Sequence, residues 1–229
     1  MNLNIPQQIK SLVNKPIGVF GWGLSGQGVV ALLSKLGLEY IVYDENLTGG
    51  QVREFSCKDA ISHDLIVYSP GFQRQHPWIK KAYKANCILL NELDFSSLFW
   101  KGDIIAVTGT NGKTSITEFL TTCLNYSGNK AVALGNNEYP FSRACLHDND
   151  DGAIAVCEVS SFQSENMYWF KPKAVIWSNF AEDHLDRYGS MLDYFSAKFK
   201  LVKRLGHGPL YIGKSVKKYA DQFGFKMPP

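Results

Sequence analysis

The chain has 229 residues, 45% of them apolar and 20% charged, with a formal net charge of +3. That length suits one large domain or two modest ones with real hydrophobic cores, and so small a charge, without a clustered basic patch, argues against a nucleic-acid or membrane partner. Residues 1–6 carry no basic stretch followed by an apolar one, no run approaches the roughly 18–20 apolar residues of a membrane span, and the five cysteines are scattered without a C-x-x-C pair, so a cytoplasmic, reducing setting is expected.

The first apolar run, Ile17–Phe20, leads into the Gly-rich turn Gly21-Trp22-Gly23-Leu24-Ser25-Gly26. Val29, Val30, Leu32, Leu33 and Leu36 then share one side of a predicted helix that Gly37 ends. Tyr40–Tyr43 and Leu65–Tyr68 read as the next strands, the latter running into the turn Ser69-Pro70-Gly71. Gly102 opens a second α/β pattern: a buried-type strand at 104–107, a polar loop, a helix at 115–125, and strands at 131–134, 153–159 and Ala174–Trp177. A helix at 192–205 and a strand at Leu210–Ile212 complete it. Parallel strands joined by helices account for both halves, with a division near residues 93–101 and domains at 1–94 and 95–229. The short cationic pairs Lys203–Arg204 and Lys217–Lys218 read as solvated helix faces.

Three strings carry chemistry. Val107-Thr108-Gly109-Thr110-Asn111-Gly112-Lys113-Thr114-Ser115 sits between a strand and a helix, where backbone N–H groups and the helix dipole cradle phosphates. Residues 109–115 are the candidate nucleotide contacts: Lys113 reaches the β- and γ-phosphates, and the Thr114 hydroxyl ligates their magnesium. Val107 stands where the general G-x-x-x-x-G-K-[ST] pattern has its first Gly. Glu158, at the end of a strand, faces that loop and can hold Mg²⁺; an exposed strand-end acid is the plain alternative. The third string is Asn179 to Tyr188, with Asp183-His184-Leu185-Asp186 inside it, where a capping or surface His is the commoner explanation. Downstream, Leu192, Phe195, Phe199 and Val202 form an apolar stripe, and Lys198 falls on its shoulder, about 80° from the centre at ~100° per residue; its stem could simply lie over apolar surface.

Together these strings resemble the Mur ligases, ATP-dependent amide ligases of peptidoglycan synthesis, from about Ile17 to about Leu205. The tighter string T-G-T-N-G-K-[ST], the N-x-x-x-D-H-x-D signature and Y-x-x-A-K (Tyr194 to Lys198) carry the likeness. The opening turn, Ser69-Pro70-Gly71 and His76-Pro77 point within the family to the branch that adds D-glutamate. The resemblance implies a Rossmann-like domain followed by a P-loop NTPase-like domain with a parallel sheet, truncated relative to full-length members, which carry a third domain. It further implies ATP and two Mg²⁺ held by Thr114, Glu158, His184 and a carbamylated Lys198, with Lys113, His184 and Lys198 as catalytic residues. The substrates would be UDP-N-acetylmuramoyl-L-alanine, contacted by Leu24, Ser25, Glu45, Asn46, Gly71, Asn136 and His184, and D-glutamate, the enzyme being a monomer. Glu138 stands where the family's G-N-x-G-x-P pattern has Gly, and Glu45 and Asn46 are atypical at the uracil end. By that resemblance the fragment holds the UDP-substrate without turning over alone. Two other readings remain open: a non-catalytic UDP-sugar-binding module, and an NAD(P) oxidoreductase built on G-x-G-x-x-G, with Asp44 on the ribose.

Overall fold

Short apolar runs become strands, those at 17–20 and 65–68 buried throughout, and every strand pair among the described residues is parallel. In this computed structural model residues 4–46, 52–73, 75–148 and 152–228 are described. The chain begins β1 (Ile17–Phe20), α1 (Leu24–Lys35), β2 (Tyr40–Tyr43), α2 (Cys57–Ile61), β3 (Leu65–Tyr68), α3 (Pro77–Lys84), β4 (Ile88–Asn91) and α4 (Glu92–Ser97). It continues β5 (Ile104–Thr108), α5 (Lys113–Tyr126), β6 (Ala131–Gly135), α6 (Phe141–His147), β7 (Ile154–Glu158), α7 (Ser161–Ser164) and β8 (Ala174–Trp177). Last come α8 (Leu185–Tyr188), α9 (Met191–Val202), β9 (Leu210–Ile212) and α10 (Lys214–Phe223).

These elements form two compact units, one of Met1–Trp100 with Pro140–His147 and the other of Lys101–Tyr139 with Asp148–Pro229. The division expected at 94/95 falls inside α4, which stays with the first unit. The α/β class with parallel sheets is as expected. The first sheet has the order β2-β1-β3-β4 and the second β6-β7-β5-β8-β9. In each, the first strand in sequence has later strands on both sides, so the chain changes direction there and opens a crevice at the carboxyl ends of the strands. Among the described residues, no helix is long and apolar enough to cross a membrane.

An aromatic cluster fills the first unit. Phe20 and Phe55 meet edge to face with ring centres 4.8 Å apart, and Tyr43 and Phe55 do so at 4.9 Å. Buried His63 ties this core together, one ring nitrogen 2.9 Å from the Tyr43 hydroxyl and the other 2.6 Å from the Pro16 carbonyl. In the second unit, Val107, Ala131 and Val156 pack under Ile116, Leu120 and Leu124 of α5. The opposite face of that sheet rests on Trp177, Phe180, Phe195 and Phe199.

The sequence stripe on α9 holds at three of its four positions: Phe195, Phe199 and Val202 are buried, whereas Leu192 is 46% exposed. The helix is in fact buried on two sides, because Tyr194, Lys198 and Leu201 are enclosed as well. The alternative of a Lys198 stem lying over apolar surface with its head in water therefore does not hold, because the residue is 1% exposed. Lys217 and Lys218 are exposed on α10, as expected.

Helix α6 belongs with α1 and α4 although it sits in the chain between two strands of the second sheet. Its first turn is held by Glu92, whose Oε1 accepts from the backbone N–H of Ser142 at 2.7 Å. Desolvation raises the Glu92 pKa, and the Ser142 hydrogen bonds oppose that only in part. A carboxyl group whose pKa is raised by folding binds its proton more tightly in the folded state. Its contribution therefore worsens as pH climbs from the unfolded pKa near 4.5 through the raised folded value. Glu92→Gln keeps the acceptor and removes the buried charge. It should raise stability at pH 8 by about 1–2 kcal/mol, with the gain shrinking toward pH 4.5 in urea unfolding. Glu92→Leu should be destabilising by about 1–3 kcal/mol, because the Ser142 N–H is left without a partner.

Candidate functional site

Strand β5 ends at Thr108 and α5 starts at Lys113, so the chain must turn within four residues. Gly112 makes the turn with φ +74 and leaves the start of α5 without a side-chain cap. The first N–H groups of that helix thus face outward at the positive end of its dipole. Lys113 folds back over the loop, its ammonium donating to the carbonyls of Gly109 at 3.3 Å and Thr110 at 3.0 Å. A Cβ on Gly109 would lie 2.3 Å from Ser178 Oγ, so only glycine lets the loop lie this close to the end of β8. Asn179 holds the loop's outer edge. Its Oδ1 accepts from Thr110 N at 3.1 Å and Asn111 N at 2.9 Å, and its Nδ2 donates to Asn111 O at 2.8 Å.

Parallel register delivers Glu158 to the same place, because Val107 of β5 pairs with Glu158 of β7. The carboxylate is 2% exposed. It accepts from Thr114 Oγ1 at 2.6 Å and Asn136 Nδ2 at 3.0 Å. From α9, Lys198 Nζ donates to Gly109 O at 2.8 Å and lies 5.0 Å from the centre of the Tyr194 ring. Burial is the main reason its pKa is pushed down to about 7; Lys113 adds to the fall, and Asp183 and Glu158 oppose it. The amine is thus substantially neutral near physiological pH, which an exposed lysine is not.

His184 begins α8 in a left-handed conformation, φ +53, uncommon for a non-glycine residue. Its Nε2 is 3.4 Å from Asp183 Oδ2. Its ring packs on Phe162 with centres 4.9 Å apart and edge-on to Tyr194 at 5.9 Å. Phe162 also carries the Arg187 guanidinium, 3.7 Å from its ring centre, and Arg187 is 3.5 Å from Glu165. Lys113 and Lys198 therefore meet at the Gly109 carbonyl, Thr114 and Glu158 meet at the start of α5, and His184 packs on Tyr194 beside Asp183. Asn179 and Arg187 have no sequence signal beyond lying in the string Asn179 to Tyr188, and Phe162 has none beyond its place four residues after Glu158. Among the described residues no three His, Cys, Asp or Glu gather in one place. A divalent cation here would draw on the Thr114 hydroxyl and the Glu158 carboxylate. The other oxygens would have to come from phosphate or from chemistry on Lys198. That donor set fits magnesium, a hard, oxygen-seeking ion that keeps few protein ligands.

Asn136 and Glu138 lie in the loop after β6, which closes where Gly135 N donates to Tyr139 O at 2.9 Å. Glu138 has φ +70, so the Gly found here in the related pattern answers a backbone requirement that Glu138 meets under strain.

In the first unit, Leu24, Ser25, Glu45, Asn46 and Gly71 follow the carboxyl ends of β1, β2 and β3, along one edge of the sheet. A Cβ on Gly26 would lie 1.8 Å from the Gly21 carbonyl oxygen, which accounts for the last Gly of the turn. Both Asp44 oxygens are engaged by backbone, accepting from Trp22 N at 2.6 Å and Asn46 N at 2.7 Å. This carboxylate fastens the turn to β2, a different task from the ribose contact of the dinucleotide reading. His76 Nδ1 accepts from Trp78 N at 3.2 Å, so the ring proton sits on Nε2, 3.4 Å from Glu45 Oε1.

A family model described as the Mur ligase middle domain matches residues 107–224. A curated relative from Aquifex aeolicus, UDP-N-acetylmuramoylalanine–D-glutamate ligase, is 36% identical over 185 residues, covering 81% of this chain and 43% of the relative. The ligase of the same name from Streptococcus agalactiae is 32% identical over 212 residues, covering 86% and 47%. The chain thus spans less than half the length of these relatives. Among solved structures, the UDP-N-acetylmuramate:L-alanyl-gamma-D-glutamyl-meso-diaminopimelate ligase of Neisseria meningitides superposes with a TM-score of 0.61 at 18% identity, covering 93% of this chain and 76% of that one. That likeness is one of fold.

Relieving the strain at φ +70, Glu138→Gly should raise unfolding stability by about 1 kcal/mol; an unchanged urea midpoint would count against the strain. A lysine whose folded pKa lies below its unfolded one weakens the fold most at pH 7 and lower, and the penalty fades as pH rises toward 10.5. Lys198→Met should therefore stabilise the chain by a few kcal/mol at pH 7 and by progressively less up to pH 10, measured as thermal midpoints across that range.

Proposed function

The chain belongs to the Mur ligase family, and from that premise we propose that it forms the UDP-substrate- and ATP-binding part of a ligase that adds D-glutamate to UDP-N-acetylmuramoyl-L-alanine. The observation that carries this reading is the meeting of Lys113, Thr114, Glu158 and Lys198 around the uncapped start of α5. An amide cannot form from a carboxylate at neutral pH without activation. In the proposed reaction the γ-phosphoryl group of ATP passes to the alanyl carboxylate, and the amine of D-glutamate displaces phosphate from the resulting acyl phosphate.

Each residue then has a definable task. Gly109, Thr110, Asn111, Gly112, Thr114 and Ser115 form the cradle, and Lys113 turns its ammonium from the loop carbonyls to the phosphate oxygens, where charge stabilisation contributes most. Thr114, Glu158, His184 and a carbamylated Lys198 are the proposed magnesium ligands; bound magnesium supplies positive charge opposite the phosphate oxygens. Carbamate formation joins the neutral Lys198 amine to CO₂ with loss of one proton, and the depressed pKa favours the neutral amine that this requires. Leu24, Ser25, Glu45, Asn46 and Gly71 are the proposed contacts for the UDP end, and Asn136 and His184 those for the muramoyl-alanyl end. The relatives' names support the substrate assignment.

Calorimetric titration with UDP-N-acetylmuramoyl-L-alanine and, separately, with Mg-ATP tests the proposal. Both should bind, and Lys113→Met should weaken ATP at least tenfold, about 1.4 kcal/mol, without changing the UDP ligand. Binding of the UDP ligand alone would favour a non-catalytic UDP-sugar module. In the complete ligase, Lys198→Ala should lose most activity and regain part of it with added short carboxylic acids. Failure of rescue together with unchanged magnesium affinity would remove the carbamate.

A further inference from the structure

The phosphate loop does not shape itself. Thr110 N donates to both the backbone oxygen of Asn179, at 3.2 Å, and its Oδ1, at 3.1 Å. Asn111 is gripped at both backbone atoms, N to Oδ1 at 2.9 Å and O from Nδ2 at 2.8 Å. The same Nδ2 donates to Ser178 Oγ at 3.2 Å, and Ser178 Oγ donates to Thr108 O, also at 3.2 Å. The amide orientation is fixed by this set, since a flipped side chain would point its NH₂ group at two N–H donors. Few side chains can replace it. Aspartate offers the acceptor without the donor and adds negative charge beside the phosphates, and serine or alanine is too short. The close approach of Gly109 to Ser178 brings the loop within reach of this one residue.

Resting on the nucleotide-binding reading above, we infer that Asn179 is a positioning residue for phosphate: it clamps Thr110 and Asn111 against the end of β8 so that the uncapped N–H groups at the start of α5 and the Lys113 ammonium converge on one anion. Asn179 acts through the loop and not on the anion. It occupies the Thr110 and Asn111 N–H groups, so those two residues shape the cradle while the N–H groups of Lys113, Thr114 and Ser115 are left to receive the anion. A loop already held in shape loses little conformational freedom on binding, so affinity is set before the ligand arrives.

The test is calorimetric titration of inorganic tripolyphosphate and of ATP, each with magnesium, into the chain and its Asn179→Ala and Asn179→Asp variants. UDP-substrate binding and thermal midpoints are followed alongside. Asn179→Ala should weaken both phosphate ligands by the same factor, about 10–100-fold, leaving UDP-substrate affinity unchanged. Asn179→Asp, which keeps the acceptor contacts and guards against a variant that does not fold, should fall between. Loss of less than twofold in both variants overturns the inference, as does tighter binding by Asn179→Ala, which would mean that the amide occludes the loop. A parallel fall in UDP-substrate affinity and thermal midpoint overturns it too, because the role would then be general folding. If the unsubstituted chain binds neither tripolyphosphate nor ATP, the nucleotide reading itself fails. Binding that is indifferent to Asn179 sinks only the present inference.

Discussion

Two lysine side chains from different helices meet at one loop in the second unit, and that convergence organises the rest of it. Lys113 and Lys198 both donate to the carbonyl of Gly109, one from the start of α5 and the other from the middle of α9. Burial is the chief reason the Lys198 pKa falls, and the neighbouring Lys113 adds to the fall, so one of the two amines sheds its charge readily. Asp183 and Glu158 favour the charged form of Lys198 and oppose part of the fall in its pKa. Such an arrangement favours an anion, which is what the proposed phosphate site requires. The strain of φ +53 at His184 and +70 at Glu138 collects around the same sheet edge, where a function would retain what folding alone would discard.

The scaffold makes that charge placement possible without long-range adjustment. In a parallel sheet each strand ends at the same edge, and pairing Val107 with Glu158 and Thr108 with Trp177 sets the heights at which the next residues emerge. Glu158 therefore reaches Thr114, while Ser178 and Asn179 reach the loop. Tilted and edge-on aromatic contacts then hold the α7–α9 region: Phe162 meets both His184 and Arg187, and Tyr194 touches both His184 and Tyr188. The first unit repeats the principle with a gentler charge, its Gly-rich turn fastened to β2 by Asp44.

Much of this was legible in the residues because glycine and β-branched runs mark strand ends. The strands at Ile17–Phe20, Tyr40–Tyr43, Leu65–Tyr68, Ala174–Trp177 and Leu210–Ile212 were read with their actual limits. Helices α2, α7 and α8, of five, four and four residues, are too short to show a helical period and went unread. The depth of Lys198 is hidden for a different reason: the apolar stripe on α9 marks one buried side, and the second, with Tyr194, Lys198 and Leu201, is too mixed to announce itself. Glu138 stood out as a departure from pattern, but its cause was a backbone angle that no side chain announces. Asn179 was invisible as a clamp because its partners are main-chain atoms, which every residue carries alike. The membership of α6 in the first unit is a matter of distant contacts and leaves no local trace.

That last helix changes what counts as a separable part. The polypeptide passes between the units three times: after Trp100, at Pro140 and again at Asp148. A gene fragment stopping at Trp100 would omit α6, uncover the flanks of α1 and α4, and leave the Glu92 carboxylate without the backbone donor of Ser142. Neither half can be cut out as one uninterrupted stretch of sequence. Swapping or grafting such modules between proteins would have to carry the short excursion along with its host.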